Sequence, residues 1–298
     1  MNIQSLSVCV PAKNCINDCE FCCSKMHGGD YEDRFTPLAT TMPYIEDMRK
    51  RLEYARDNGC NTLMLTGNNE PQQNKGFLRV LGIVNKSLNN PFLNIEMQTS
   101  GAFIDDEMLD FLKDVGVTTM AISVACLDSS VYNRMIIKTP DSNLEIDTLC
   151  EKIKKRNMNL RICLNMNDGM VTPLKNGAKE KTLEAIIYHC KKLGADQLTC
   201  RALWTSEDGT KQAEWIKENV TDATYNFIRY FKNEVKANGK YLDTLEYGAD
   251  RYDYMGFSTV IDEDSMAQEA HKKGVKYLIL RPDGHLYSKW DTKASLIF

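Results

Sequence analysis

The stretch Cys15-Ile16-Asn17-Asp18-Cys19-Glu20-Phe21-Cys22 sets three cysteines at the spacing C-x3-C-x2-C near the start of a 298-residue chain. Thiolates are the ligands of iron–sulfur clusters, normally four to a cluster. Three of them can hold three irons of a four-iron cluster and leave the fourth iron open. An open metal position is the mark of a catalytic site rather than a structural one. Zinc is the alternative metal, because Cys23 follows directly, making four clustered cysteines, and Cys9 lies just upstream. Structural zinc sites, however, use two paired motifs of the C-x2-4-C or H-x3-5-H kind, and no second pair occurs here.

This motif resembles the hallmark of the radical S-adenosylmethionine (radical SAM) superfamily. The resemblance implies a [4Fe-4S] cluster on Cys15, Cys19 and Cys22. Its open iron would chelate the amino and carboxylate groups of S-adenosyl-L-methionine (SAM). One electron would then split SAM into methionine and a 5′-deoxyadenosyl radical. Phe21 stands where family members place an aromatic ring near the adenine. An external electron donor such as flavodoxin or ferredoxin is implied as well.

Such a site needs a scaffold, and the chain supplies a regular one. Leu6 to Val10 is a short apolar run that reads as a strand, and the cysteines follow it at once. The loop continues through Gly28-Gly29. A helix begins near Pro43, with Ile45, Met48, Leu52 and Ala55 at helical spacing, and Gly59 ends it. Thr62–Thr66 is the next strand. Helix, glycine and strand then recur: Asp105 to Gly116 before Met120–Val124, and Leu183 to Gly194 before Gln197–Leu203. Phe92–Thr99 and Leu160–Met166 are further strands, the second preceded by a helix over 143–157. Six strands alternating with helices over residues 5–203 predict βα units and a parallel sheet. The resemblance narrows this to a partial (β/α)6 radical SAM barrel. In either an open sheet or a barrel, ligands gather at the carboxyl ends of the strands, which is where the cysteine loop falls.

The other strand ends then become candidates. The second closes in Thr66-Gly67-Asn68-Asn69-Glu70-Pro71, similar to the family's Gly-Gly-Glu-Pro turn. The resemblance assigns Gly67, Asn69 and Glu70 to the SAM amino group, although Asn68-Asn69 stand where a glycine is common. Thr99 and Ser100, after the third strand, match a turn that faces the ribose. Ser123 and Arg134 match a serine and an arginine set against the SAM carboxylate; arginine can grip a carboxylate with two parallel hydrogen bonds. Asn165 would meet a ribose hydroxyl or the substrate. Arg201 to Trp204 would present backbone to adenine.

Residues 206–298 read as a separate C-terminal α+β cap on a 1–205 core. They comprise a charged helical stretch from Lys211 to Lys236, a tyrosine-rich loop over Tyr247–Tyr254, and a hairpin with Pro282-Asp283-Gly284 in its turn. Arg281, Asp283, His285, Lys289 and Trp290 are candidates for substrate contacts.

Composition bounds the partners. There are 37 Lys+Arg against 41 Asp+Glu, a net charge of −4, so broad electrostatic capture of nucleic acid is not expected. No apolar run approaches a bilayer span, and no signal peptide is visible. Eleven cysteines in that setting read as reduced thiols of a cytoplasmic protein. No cysteine follows Cys200, which leaves no thiolates for an auxiliary cluster in the C-terminal part, and only a short segment precedes Cys15. With these features the chain resembles the single-cluster, viperin-like or a related branch of the superfamily, which implies an enzyme acting on a small-molecule or nucleotide-like substrate. The alternatives are a modifier of a macromolecule, either a protein radical-activating or an RNA-modifying enzyme, and a zinc-binding interaction protein.

Overall fold

The computed structural model describes residues 2–26, 41–127, 129–171, 183–244, 249–262, 274–290 and 292–298. The Gly28-Gly29 loop and Tyr247-Gly248 lie outside these residues. Six parallel strands run in chain order through the middle of one sheet: β1 (Asn2–Cys9), β2 (Thr62–Thr66), β3 (Asn94–Thr99), β4 (Thr119–Val124), β5 (Asn159–Asn165) and β6 (Gln197–Arg201). The helices between them are α1 (Met42–Asp57), α2 (Lys75–Lys86), α3 (Asp106–Asp114), α4 (Ser130–Ile137), α5 (Ile146–Lys155), the single turn α6 (Asp168–Val171) and α7 (Leu183–Lys192). Their starts follow from local chemistry. Asp105 accepts a hydrogen bond from the Met108 amide, Asn74 from Phe77 and Ser129 from Tyr132, so α3, α2 and α4 each open on a side chain that satisfies an orphan amide.

The C-terminal part does not stand apart from this core. It adds α8 (Lys211–Asn219), α9 (Asp222–Asn238), β7 (Lys240–Thr244), β8 (Asp250–Tyr254), β9 (Phe257–Asp262), β10 (Gly274–Leu280) and β11 (Leu286–Tyr287). β9 joins β6 in parallel and β10 joins β1 in parallel, so the sheet reads β11-β10-β1-β2-β3-β4-β5-β6-β9-β8-β7. Two expectations for this part need correction. The stretch from Lys211 is two helices, because Thr221 caps α9 by accepting from the Ala223 amide. Asp250–Tyr254 is a strand rather than a loop. It turns into β9 through Met255 (φ 54°) and Gly256 (φ 70°), two left-handed residues that match the twist of a tight hairpin. The hairpin expected around Pro282-Asp283-Gly284 is present as β10–β11.

The two faces of the sheet differ. Leu63, Leu65, Met97, Ile122, Ile162 and Leu198 belong to one buried apolar cluster with the helices. The alternate positions carry Glu96, Gln98, Ser123, Arg161, Thr199 and Arg201. A packed (β/α)8 interior is filled with bulky branched residues; this inner face is polar instead. Arg161 reaches across the small Ala121 of β4 to Glu96, with 2.7 Å between Nη1 and Oε2.

Candidate active site

The cysteine loop leaves the carboxyl end of β1 and is fastened residue by residue to the turn after β2. The Val10 amide donates to Thr66 O at 2.9 Å. Asn69 Nδ2 donates to Val10 O at 2.7 Å, and Asn74 Nδ2 to Pro11 O at 2.6 Å. Gln73 Nε2 donates to Asn14 O at 2.7 Å, while its Oε1 accepts from the Ile16 amide at 3.2 Å and the Glu70 amide at 3.1 Å. Gly67 holds φ +141° with Val10 against it, a conformation that favours glycine. Asn17, between the first two cysteines, is buried. Its Nδ2 donates to Glu70 Oε1 at 3.0 Å and to Ser100 Oγ at 2.9 Å. Thr99 Oγ1 and Gln72 Nε2 donate to Glu70 Oε2. Asn17, Gln72, Gln73 and Asn74 are absent from the sequence candidates. Their amide side chains have no distinctive spacing; Gln72, Gln73 and Asn74 follow closely on Glu70 in the sequence, whereas Asn17 is brought to it only by the fold.

At the ends of β4 and β5, Asn133 Oδ1 accepts from the Ala125 amide and Asn167 Nδ2 donates to Ala125 O, both at 2.9 Å. This clasp steadies the residues just after Ser123, whose side chain is half-buried on the polar face. Asn165 ends β5 and is buried. Arg134, on α4, is engaged by its own neighbourhood: Nη1 lies 2.6 Å from Glu145 Oε1 and 2.8 Å from Leu144 O. Arg281 is buried, with Nη2 donating to Lys289 O at 3.0 Å and Trp290 O at 2.9 Å and its guanidinium 4.0 Å from the Tyr287 ring. Asp283 accepts from Tyr287 Oη at 2.6 Å and from the His285 amide at 2.9 Å. These C-terminal candidates hold the hairpin together.

The cysteine loop also meets α8. The Phe21 ring lies 6.2 Å from that of Trp215, and both pack on Leu203, Ala213 and Ile216. Asp18 forms ion pairs with Lys25 and with Lys211, the latter at 2.6 Å. The Lys211 and Lys25 ammonium groups hold its carboxyl down to about 2. On the other flank the Glu20 amide donates to Ile136 O at 3.0 Å, and Glu20 pairs with Lys138 at 2.6 Å.

Cys15, Cys19 and Cys22 are half-buried free thiols, and Cys23 is exposed. Burial pushes the Cys15 thiol up to about 11. The Asn17 amide, 3.4 Å from its Sγ, opposes this, while the charges of Glu70 and Cys22 add to it. Burial also raises Cys19, with Cys22, Glu70 and Cys15 contributing. Cys15 and Cys19 are thus raised by burial and by the neighbouring charges of Cys22 and Glu70, and a cation nearby would favour their thiolates. Among the described residues no three His, Cys, Asp or Glu side chains form a group that would hold a metal ion. The donor set itself, three soft thiols on one braced loop, fits an iron–sulfur cluster.

Several solved structures share the fold. SuiB of Streptococcus suis, bound to S-adenosylmethionine, matches with a TM-score of 0.60 at 14% identity over 96% of this chain and 60% of that one. The anSMEcpe structure with bound AdoMet matches with a TM-score of 0.61 at 13% identity, over 96% of this chain and 74% of that one. Coproporphyrinogen III oxidase (HemN) from Escherichia coli, a radical SAM enzyme, matches with a TM-score of 0.50 at 13% identity over 80% of this chain and 54% of that one. The chain thus spans about 60% of the length of SuiB. No curated protein sequence matches it. The radical SAM superfamily model matches residues 9–167, which include the cysteine loop, strands β2 to β5 and their turns. With more than half its length so matched and C-x3-C-x2-C at the carboxyl edge of a parallel βα sheet, the chain belongs to the radical SAM superfamily.

Proposed function

We propose that the protein cleaves SAM reductively and that hydrogen is then taken from a small polar or nucleotide-like substrate bound against the inner face of the barrel. The observation that carries this reading is the placement of the cysteine loop at the carboxyl edge of a sheet whose inner face is polar. A four-iron cluster on Cys15, Cys19 and Cys22 would supply one electron to SAM, giving methionine and a deoxyadenosyl radical that removes a hydrogen atom from substrate to form 5′-deoxyadenosine. The chain's own residues do the rest. The turn after β2 holds the loop in place, and the Asn17 amide donates to Cys15 Sγ. Phe21, Trp204 and Trp215 pack against the apolar cluster of Met26, Leu203, Ala213, Ile216 and Val220, which would limit access of water and stray hydrogen donors. Ser123, Asn165 and Arg134 lie at or just beyond strand ends on the cysteine edge, within the region proposed for SAM.

A peptide-modifying reading has one support. SuiB has been solved with the precursor peptide SuiA, and anSMEcpe with the Cp18Cys peptide. The test is anaerobic reconstitution with iron and sulfide, addition of SAM and dithionite, and measurement of 5′-deoxyadenosine across panels of polar metabolites, nucleotides and peptides. Release stimulated by a metabolite or nucleotide, with deuterium passing from labelled substrate into 5′-deoxyadenosine, supports the proposal. Stimulation by peptide alone replaces its substrate class. Bound zinc and no 5′-deoxyadenosine under strong reductant overturns it.

A further inference from the structure

Glu70 is the residue whose surroundings depart most from the role its motif suggests. A carboxylate that receives the SAM amino group needs a free acceptor facing the ligand. Glu70 is 8% exposed, and both its oxygens are occupied from within the protein. Oε1 accepts from Asn17 Nδ2 at 3.0 Å and the Ser100 amide at 3.2 Å. Oε2 accepts from the Ser100 amide at 3.1 Å, Gln72 Nε2 at 3.2 Å and the Thr99 hydroxyl. A carboxylate offers about four acceptor sites, and these donors fill them. The partners are committed in turn. Thr99 Oγ1 also accepts from the Gly101 amide at 3.0 Å, and Ser100 Oγ accepts from Asn17 Nδ2 and the Ala102 amide. Gln72 Nε2 donates onward to Ala102 O at 2.8 Å.

We infer that Glu70, with Thr99 and Ser100, is a positioning residue rather than a SAM ligand. Its carboxylate is the node that locks the cysteine loop, through Asn17, to the turns after β2 and β3. The three segments are distant in sequence, and Asn17 Nδ2, bonded to both Glu70 Oε1 and Ser100 Oγ, joins the same three from the loop side. A buried anion that accepts several hydrogen bonds resists displacement, since freeing it leaves donors unpaired in a low dielectric. The consequence is that the spacer residue Asn17, not only the cysteines, decides whether the loop keeps the shape that takes up a cluster.

This inference rests on the proposed function, and the experiment separates the two. Wild type, Asn17→Ala, Glu70→Gln and their double variant are reconstituted anaerobically. Iron and sulfide per chain, the electron paramagnetic resonance spectrum of the reduced cluster, and SAM affinity of the loaded fraction are measured. Circular dichroism checks the fold. Asn17→Ala removes one spoke of the node and is the variant least prone to unfold. The expected result is at least a threefold loss of cluster per chain in Asn17→Ala and Glu70→Gln, with an altered or broadened spectrum. SAM affinity of what remains loaded should stay within about twofold, and the double variant should be little worse than Glu70→Gln alone, as for residues acting as a unit. Full cluster content and an unchanged spectrum in Asn17→Ala overturn the inference. So does a tenfold loss of SAM affinity in Glu70→Gln with the cluster intact. If wild type itself takes up no four-iron cluster, the proposed function fails first.

Discussion

Cys15, Cys19 and Cys22 sit half-buried on a loop fastened at Val10, Pro11, Asn14, Ile16 and Asn17, whereas Cys23 lies beyond it in an exposed turn. Replacing any of the first three by alanine should drop iron uptake to background, while Cys23→Ala should keep roughly the wild-type content; iron and sulfide analysis after reconstitution distinguishes them. Retention in Cys19→Ala, or loss in Cys23→Ala, would remove the assignment. Arg134 makes a second test. Glu145 and Leu144 O engage Nη1, leaving the rest of the fork for a carboxylate. A charge-assisted pair of that kind contributes roughly 1.5–3 kcal/mol, so Arg134→Ala should weaken SAM binding about tenfold or more. Unchanged affinity would make Arg134 a clasp for α5 and nothing further. The cysteines were legible in the sequence because their spacing is the signal. The bonds that brace them were not, because Asn17 meets Glu70 and Ser100 across more than fifty residues and no local pattern records such a meeting.

At the scale of elements, legibility followed how local the cause was. Helix starts and glycine stops place α1, α3 and α7, and the spacing of Leu149 and Ile153 places α5, within a few residues of their observed bounds. α2 went unread although Asn74 caps it, since that asparagine sits inside a run that looks like one long turn. The joint between α8 and α9 turns on Thr221 and on a partner far away. Asp168, on the turn after β5, accepts from the Thr221 amide at 3.1 Å and the Thr224 hydroxyl at 2.6 Å. Burial works to raise its carboxyl, but the Thr224 and Thr221 hydrogen bonds outweigh it and hold it below the usual range. Because the folded value is depressed, its contribution is fully present above the ordinary carboxylate value near 4 and fades as pH falls through the lower folded value. Asp168→Asn should therefore cost about 1 kcal/mol at neutral pH, the scale of a lost cap. The gap from wild type should narrow below about pH 4. Denaturant titrations at pH 7 and in the acid range measure both. A gap that stays constant with pH would show that the charge of Asp168 contributes nothing.

For the whole molecule the deciding feature is the continuity of the sheet across residue 205. A core of 1–205 with a removable cap would leave β1 and β6 as natural edges. Here β10 pairs with β1 in register from Asn2↔Gly274 to Val8↔Leu280, and β9 pairs with β6 from Gln197↔Ser258 to Arg201↔Asp262. Neither pairing can be read from sequence, because parallel partners carry no turn between them and β10 meets a strand at the opposite end of the chain. Removing residues 206–298 would expose the backbone edges of β1 and β6 and the apolar side chains that Leu278 and Leu280 cover from the β10 side. It would also strip Trp215 from Phe21 and Lys211 from Asp18. A domain's net stability is only about 5–15 kcal/mol, and the loss of β7 to β11 with α8 and α9 is of that order. A chain ending at residue 205 should accordingly show no cooperative thermal transition and no cluster uptake above background. Lys211→Met in the full chain should leave the transition nearly in place, since exposed ion pairs contribute only about 0–1 kcal/mol. Calorimetry and iron analysis on the two proteins decide the matter. A 1–205 fragment that melts cooperatively and loads a four-iron cluster would mean that the C-terminal strands decorate a self-sufficient core, and that the β1 edge needs no neighbour to hold the cysteine loop.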